Sequence, residues 1–309
     1  MEVTEATLVG RPALDILVPT HNRIDLTMKC LEAIYFHTRT PFHVIVVDDS
    51  TDNLTPLYFK QLVTEGVAPI GKVQNLTFIH SEVPYRTGNQ FFNLGFRYSK
   101  SEYIATVMNS VSVEPDWETY ALNELMLKNP DVGIIVFKCL FAGLTNKVGH
   151  IESAGIQMVK YIPSDMGRDL PGHRLNNVYE VNAGQWAFAL LRRRAVVGVL
   201  DDFLFHGFKG WDDIDNCFVV KSKGWKMLYC GLGIGYHEPR ATRGNNSQVA
   251  EEENRENGER FFKRWGLWEM FLADHPDGKD MHKMPKENEQ FHELMERTAF
   301  QPVREEVAA

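Results

Sequence analysis

Residues 13–52 read ALDILVPTHNRIDLTMKCLEAIYFHTRTPFHVIVVDDSTD, and the architecture of the chain follows from them. The mostly apolar run at residues 13–18 predicts a strand that is covered on both faces. After a polar loop, the apolar spacing over residues 25–37 predicts a helix with Asp25 as its N-cap. Pro41 breaks the chain after that helix. Residues 42–47 predict a second buried strand that ends in another polar loop. The order strand, helix, strand indicates two parallel strands joined by a crossover.

The same order is repeated downstream. Helices are predicted near residues 56–64 and 88–100, and strands near residues 76–80 and 103–108. Such repeats predict a mostly parallel α/β sheet, in which ligands bind at the carboxyl ends of the strands. Polar or loop-forming residues follow three of these strands: Pro19, Thr20, Asn22, Arg23, Asp48, Asp49, Asn109 and Ser110. Because loops are polar in most proteins, a chance accumulation is the alternative interpretation.

Two common nucleotide-binding motifs are missing from the sequence. No GxGxxG follows the first strand, and GxxxxGK[ST] does not occur. A Rossmann dinucleotide site and a P-loop are therefore disfavoured.

A second informative stretch, residues 207–237, reads GFKGWDDIDNCFVVKSKGWKMLYCGLGIGYH. A helix is predicted over residues 214–223, closed by Gly224 in a left-handed cap, and a strand over residues 225–229. Three carboxylates mark the start of this helix: Asp212, Asp213 and Asp215. The helix dipole stabilises acids there, so capping alone is one interpretation. In the other, the turn delivers one carboxylate, held near two others, into a cleft as a general base.

The composition is that of an acidic globular protein. The chain has 309 residues, of which 44% are hydrophobic, and a formal net charge of −8. This length suits one large α/β unit with a decorated C-terminal part, and the acidity disfavours binding to phosphate backbones. Four scattered cysteines without CxxC spacing indicate buried thiols in a reducing compartment. The N-terminus does not resemble a signal peptide and no apolar run approaches about 20 residues, so we expect a cytoplasmic location.

Several motifs in order resemble the inverting glycosyltransferases of family 2, which have the GT-A fold. They are LDILVPTHNR (14–23), VIVVDDSTD (44–52), GNQFFNLGF (88–96), YIATVMNS (103–110), VNAGQWAFALLRR (181–193), VVGVLDDFLFHGFKGWDDIDNCF (196–218), Tyr236-His237 and FFKRWG (261–266). Each motif is weak alone, but their order and spacing over residues 13–266 make the resemblance specific. It implies an α/β fold with a Rossmann-like, mostly parallel central sheet flanked by helices.

The resemblance also implies a division of the chain. Residues 1–12 would be a flexible lead-in, and residues 13–245 the GT-A domain. Residues 13–112 of that domain would bind the nucleotide sugar, and residues 113–245 would carry the acceptor and catalytic groups. Residues 246–309 would form a polar, helical C-terminal extension, in which residues 246–262 are expected to be an exposed helix.

In this family one sugar is moved from a nucleotide-diphosphate donor to a hydroxyl acceptor with inversion. The resemblance places the general base at Asp213, with Asp212 as the second candidate, and Asp215 as a cap and brace of the helix. A neighbouring carboxylate such as Asp212 would raise the pKa of the base and make it a better proton acceptor.

The donor nucleotide would lie across the strand ends, and UDP is favoured. By resemblance, Thr20, Asn22 and Arg23 form its first wall, and Asp48 or Asp49 accepts a hydrogen bond from the ring N–H of the base. Arg86 would face the nucleotide unless it is a surface arginine. Arg240 and Arg243 lie in a Gly/Asn-rich loop that could close over the diphosphate.

The metal-binding motif departs from the family pattern. The family has D-x-D or N-x-D where this chain has Asn109-Ser110-Val111, and valine cannot bind a hard cation such as Mg²⁺ or Mn²⁺. His237 resembles the late metal-binding histidine of the family, although an isolated histidine is often structural. Three alternatives follow: a divalent metal held weakly by His237 and the donor, a metal-independent enzyme that uses cationic side chains, or a protein without catalysis.

The acceptor side carries fewer signals. Trp186 and Trp211 could stack on a sugar or a base, or could be core aromatic residues. Alternative functions are a retaining transferase, an inactive GT-A protein that binds nucleotide sugar or glycan, and glycosylation of a hydroxylated base in nucleic acid. The acidic net charge disfavours the last of these.

Overall fold

The computed structural model describes residues 1–7, 10, 12–85, 87–143, 145–207, 210–239 and 247–276. Its strands are β1 (Glu2–Glu5), β2 (Leu14–Thr20), β3 (Phe42–Asp48), β4 (Leu76–His80), β5 (Tyr103–Val107), β6 (Val111–Val113), β7 (Val132–Phe141), β8 (Ile151–Ser153), β9 (Ile156–Val159), β10 (Ile162–Asp165), β11 (Val178–Glu180), β12 (Phe188–Arg192) and β13 (Lys226–His237). Its helices are α1 (Ile24–His37), α2 (Leu54–Thr64), α3 (Gly88–Tyr98), α4 (Arg193–Val196), α5 (Asp212–Ser222), α6 (Ser247–Arg264) and α7 (Trp268–Asp274), with a π-helical turn at Ala121–Met126.

One large mixed sheet organises the molecule. Its order is β1-β4-β3-β2-β5-β12-β7-β13-β11, with β6 beside β13 and β8 beside β7. Strands β2, β3, β4 and β5 are parallel to one another, as the sequence predicts. Strand β12 runs antiparallel between β5 and β7, and β13 is parallel to β7. Six strands therefore run in one direction, and their carboxyl ends meet at one edge of the sheet.

Two apolar cores cover the two faces of this sheet. Leu17 packs on one face with the phenylalanines of α3, and Ile16 packs on the other face with Leu31 of α1. All seven residues of β2 are buried, so the prediction of a strand covered on both faces is confirmed. Alternate residues serve opposite cores because successive side chains of a strand point in opposite directions.

The C-terminal helices belong to the core of the sheet. The expectation of an exposed helix over residues 246–262 is right about the helix but wrong about its exposure. Phe261 and Phe262 of α6 and Phe271 of α7 are completely buried in the same cluster as α3 and α5. Charged residues dominate the composition of α6, so its short apolar face, which packs inward, is not apparent from the sequence pattern.

The N-terminal lead-in and three element boundaries also differ from the predictions. Residues 2–5 form β1, which pairs antiparallel with β4. Arg23, in a left-handed conformation with φ 53°, occupies the N-cap of α1, and Asp25 lies inside the first turn. The strand predicted at residues 225–229 continues to His237, because its pairing with β7 resumes after an irregularity in the register.

Helix α3 ends two residues earlier than predicted because of Asp15. This buried carboxylate of β2 accepts hydrogen bonds from the amides of Lys100 and Ser101, both at 2.7 Å, and from the Ser99 hydroxyl at 2.8 Å. His43 lies 3.2 Å from its other oxygen. Burial alone would raise the pKa of Asp15, but the hydrogen bonds from His43 and residues 99–101 outweigh it and lower that pKa.

We therefore expect Asp15→Asn to reduce the free energy of unfolding at pH 7 by about 2–4 kcal/mol, since a buried amide cannot accept all these bonds. A lowered folded-state pKa contributes stability that is present above the unfolded value and lost as the pH falls below it. The difference from wild type should thus shrink below pH 3.8, the ordinary aspartate value. Urea titrations at pH 7 and pH 3 measure it. Asp116→Asn, at an exposed ion pair with Arg39, is the control, and an equal deficit at both pH values would contradict the prediction.

Candidate active site

The carboxyl edge of the sheet gathers most of the predicted site residues. Thr20 ends β2, Asp48 ends β3, and His237 ends β13. The amide of Asn109, just after β5, donates to the carbonyl of Pro19 at 3.4 Å. The edge therefore brings together residues that are up to 218 positions apart, from Pro19 to His237.

The loops after β2 and β3 are joined by side-chain hydrogen bonds. Asn22 has φ 51°, and its amide oxygen accepts from the backbone N–H of Thr51 at 2.9 Å. Its own N–H donates to the Ser50 hydroxyl at 2.6 Å. The His21 ring lies 2.8 Å from Asp49. Asn22 thus shapes the first wall of the site, and a left-handed asparagine is suited to such a turn.

The two aspartates after β3 are occupied by the protein itself. Asp48 is completely buried, and its carboxyl receives the Ser50 hydroxyl at 2.5 Å and contacts the His80 ring at 2.7 Å. Burial raises the pKa of Asp48, against the opposing effect of these bonds. Asp48 consequently braces the loop through its contacts with Ser50 and His80.

Asp49 is also internally bonded. One oxygen contacts His21, and the other accepts from the N–H of Tyr85 at 2.9 Å. Asp49 is 2% exposed, and through these two contacts it joins the loops that follow β2, β3 and β4.

Arg23 lies at the surface of this edge, whereas Asn109 is buried beneath it. The Arg23 guanidinium forms an exposed ion pair with Asp25 at 2.8 Å, and the Glu238 carboxylate also acts on it. Asn109 is buried and donates to the Thr27 hydroxyl at 3.1 Å, which ties the end of β5 to α1. Ser110 accepts the N–H of Glu238 through its carbonyl oxygen at 3.0 Å.

The place of the missing metal ligand is opposite His237. Val111 begins β6 and pairs directly with His237 in the antiparallel ladder. Directly paired residues point to the same face, with Cβ atoms about 4.5–5.5 Å apart. Val111 is fully buried in the apolar core. A carboxylate at position 111 would therefore approach His237, and valine leaves this place without an oxygen ligand.

His237 is nevertheless oriented as a ligand would be. Its Nδ1 lies 2.6 Å from a carboxylate oxygen of Glu152, and the His237 side chain is 13% exposed. A carboxylate that fixes one ring nitrogen leaves the other to bind a metal or accept a proton. Among the residues that the structure describes, however, no three His, Cys, Asp or Glu side chains converge as a metal site. The described part of the chain thus presents one oriented histidine and no closed metal site.

The first turn of α5 holds the predicted catalytic carboxylates. The carboxyl of Asp212 occupies the space that Gly88 leaves open at the start of α3, where a side chain would collide with it. Asp213 accepts from the N–H of Ile214 at 2.9 Å and from the backbone of Trp186. Because Trp186 lies just before β12, which runs opposite to its neighbours, this contact places Asp213 at the carboxyl edge of the sheet.

The environment of Asp213 increases its affinity for a proton. Burial is the largest cause of its raised pKa, and the nearby carboxylates of Asp212 and Asp165 raise it further. The two backbone donors oppose this effect without cancelling it. A carboxylate of this kind is suited to accept a proton near neutral pH.

Helix α5 is held in place from both sides. Asp215 is buried, and its oxygens receive the Trp265 indole N–H at 2.8 Å and face the Arg264 guanidinium at 3.1 Å. Burial raises the pKa of Asp215 to about 6, although both partners lower it. The FFKRWG motif therefore contributes two residues that anchor α5, which agrees with the predicted bracing role of Asp215.

On the other side, α5 is joined to α3 by a buried amide pair. Asn216 donates to Asn89 at 2.6 Å, and Asn89 donates in return at 3.2 Å and to the carbonyl of Asp201 at 2.8 Å. No local sequence signal distinguishes Asn89, Asn216, Glu152 or His80 from surface polar residues, because the partners of all four are distant in sequence.

Both tryptophans predicted to bind the acceptor lie in the core instead. Trp186 and Trp211 are each 1% exposed. The Trp186 indole donates to the Cys217 sulfur at 3.4 Å and that of Trp211 to the carbonyl of Asn254 at 3.0 Å. Trp211 packs against Phe261 and Phe262. The core alternative is thus correct, because Trp186 packs between α3 and α5 and Trp211 packs against α6.

Three predicted residues, Arg86, Arg240 and Arg243, lie outside the described residues.

Comparison with known proteins identifies the family of this chain. The sequence profile described as glycosyl transferase family 2 matches residues 15–194. The chain therefore belongs to glycosyl transferase family 2. The uncharacterized protein y4gI of Sinorhizobium fredii (strain NBRC 101917 / NGR234) is 26% identical over 251 residues, which cover 76% of this chain but 25% of that protein. The chain spans about a quarter of the length of this curated relative.

Solved structures with similar folds are glycosyltransferases. GalNAc-T7, in a crystal structure with UDP, GalNAc and Mn²⁺, superposes with a TM-score of 0.64 at 12% identity, over 93% of this chain and 54% of that one. Residues 1–349 of TarS from S. aureus, in complex with UDP-GlcNAc, superpose with a TM-score of 0.53 at 13% identity, over 85% and 72% of the two chains. These likenesses establish the GT-A fold. None of the helices that the structure describes has the length and apolar character of a membrane span.

The ladder opposite His237 leads to a test of the metal site. We expect Val111→Asp to increase Mn²⁺ affinity at least tenfold over wild type, because the new carboxylate and His237 would share one cation. Electron paramagnetic resonance of free Mn²⁺ during titration measures the affinity without any turnover. Val111→Asn is the matched control for burying a polar group, with thermal melting to verify folding. Equal Mn²⁺ affinity of the Asp and Asn variants would contradict this geometry.

Proposed function

We propose that this protein transfers a sugar from a nucleotide-diphosphate donor to a hydroxyl group of an acceptor, with inversion at the anomeric carbon. The observation that carries the proposal is the carboxylate of Asp213. It lies at the ligand-binding edge of a family 2 chain, is fixed by two backbone donors, and has a raised pKa. Asp212 beside it is the second candidate for the base.

The reaction is a single displacement. Asp213 takes the proton of the acceptor hydroxyl while the acceptor oxygen forms a bond to the anomeric carbon. The bond between that carbon and the donor diphosphate breaks, and its electron pair leaves with the nucleoside diphosphate. The proton is then released from Asp213 to solvent, which restores the carboxylate. Attack from the side opposite the leaving group inverts the anomeric centre.

The chain's own residues divide the remaining tasks. The loops shaped by Asn22 and Asp49 would bind the nucleotide, with Pro19, Thr20, Arg23, Asn109 and Ser110 at the same edge. Arg86 would contact the nucleotide, and Arg240 and Arg243 the diphosphate. A divalent cation, when bound, supplies Lewis-acid neutralisation of the leaving diphosphate. His237 would be its single protein ligand, so donor oxygens and water would complete the site.

The donor is tested by calorimetric titration with UDP, GDP, dTDP and CDP, each with Mn²⁺ and with EDTA. We expect UDP to bind at least tenfold more tightly than the others. Support comes from UDP in GalNAc-T7 and UDP-GlcNAc in TarS. EDTA should weaken UDP binding only several-fold, because the chain contributes one metal ligand. Failure of all four nucleotides to bind, with and without metal, would contradict the donor site.

The base is tested by replacing its carboxylate. We expect Asp213→Asn to reduce kcat about 10²–10⁴-fold, the range of a lost general base, with UDP affinity within threefold of wild type. In the wild-type enzyme, kcat/KM should fall as the pH drops through a midpoint well above 3.8, since burial and Asp212 raise the Asp213 pKa. Asp212→Asn is the paired variant, with a smaller loss. Unchanged turnover in Asp213→Asn would show that Asp213 is not the base. A product whose anomeric configuration by NMR equals that of the donor would rule out inversion.

A further inference from the structure

A second buried carboxylate, Asp165, approaches the predicted base from the opposite side of the site. It ends β10, where it pairs with Ile156 of β9. Ile156 exchanges two backbone hydrogen bonds with Ala183, at 2.8 and 3.0 Å. Three chain segments thus lie side by side, and the third continues within three residues to Gln185 and Trp186.

Those two neighbouring residues hold the two carboxylates. The Gln185 side chain donates to Asp165, and the backbone of Trp186 donates to Asp213. Consecutive residues of one segment therefore hold both carboxylates, Asp165 through the Gln185 side chain and Asp213 through the Trp186 backbone.

Asp165 is also incompletely neutralised. One of its oxygens, Oδ1, is buried and has no hydrogen-bond partner, and the other lies 3.6 Å from the Arg168 guanidinium. A buried polar atom without a partner requires an explanation in the function of the protein. The pKa of Asp165 is raised to about 6, chiefly by burial; Arg168 and Gln185 lower it, and Glu152, which holds His237, contributes to the rise.

We propose that Asp165 is a positioning residue of the transfer reaction, which acts through space on Asp213 and increases the proton affinity of that base. This inference rests on the proposed function. The other groups around Asp213 are Asp212, the Cys217 thiol one turn further along α5, and Asp215, which Arg264 faces. Asp165 is the carboxylate that reaches Asp213 from a different element, so its removal changes the charge without altering α5.

The test is the titration of Asp213 in wild type and in Asp165→Asn. The ¹³C chemical shift of the Asp213 carboxyl, assigned with Asp213→Asn, is followed against pH without donor or acceptor. We expect the midpoint to move down by roughly half a unit to one unit when the like charge is removed. The acid limb of kcat/KM should move by the same amount, with a two- to tenfold lower plateau because the base is weaker.

Two further variants separate electrostatics from structure. Asp169→Asn makes the same charge change four residues away, at an exposed residue with φ 71° paired to Lys147, and should leave the midpoint unchanged. Asp165→Glu keeps the charge and should restore a midpoint near that of wild type. Thermal melting and UDP affinity report whether each variant is folded.

The outcomes are distinguishable. An Asp213 midpoint in Asp165→Asn that equals wild type would overturn the proposal, as would a loss of kcat/KM by the same factor at every pH. If Asp165→Asn does not fold, a wild-type midpoint in Asp165→Ser decides against the proposal and a lowered one decides for it. If the midpoint moves but wild type transfers no sugar to any acceptor, the electrostatic coupling stands and the proposed function fails.

Discussion

The first turn of α5 holds three carboxylates close together, of which Asp215 is buried and Asp212 and Asp213 are half-buried, and the surrounding structure stabilises this arrangement. Like charges in a low-dielectric environment repel one another and resist ionisation. The positive end of the α5 dipole offsets part of the cost. Trp265 and Arg264 satisfy Asp215, and the backbone of Trp186 supports Asp213. The remaining electrostatic strain appears as the raised pKa of Asp213, which is the property that a general base requires.

The backbone is strained just before the carboxylates of α5, at Trp211. Trp211, directly before α5, has φ 76°, a conformation that an aromatic residue adopts only when its surroundings enforce it. Burial against Phe261 and Phe262 and the hydrogen bond to Asn254 provide that enforcement. Helix α6 therefore fixes the turn that precedes Asp212 and Asp213.

The surroundings of His237 are ordered although the family's acidic residue is absent at position 111. His237 still has its carboxylate partner Glu152 at 2.6 Å, yet its cross-strand neighbour is Val111. The ladder between β6 and β13 depends on backbone pairing, so it forms with valine at position 111. The side chains available to a cation depend on residue identity, and valine offers none. The sheet framework around His237 is thus present, and position 111 supplies no oxygen atom to it from a side chain.

The sequence by itself determined the parallel half of the sheet, the family and the polar loops after β2 and β3, because these depend on local periodicity and on motifs within about ten residues. It also placed three carboxylates at the start of a helix, although that helix begins at Asp212 and not at residue 214. The bonds by which Asn22 joins the two loops appear only in the structure. Only the tertiary structure decided which polar residues face the site: Asp48 and both tryptophans became internal, and Asp165, Glu152 and the Asn89–Asn216 pair emerged. Their roles depend on partners from 20 to 127 residues away, and burial of that kind leaves no periodic trace along the chain.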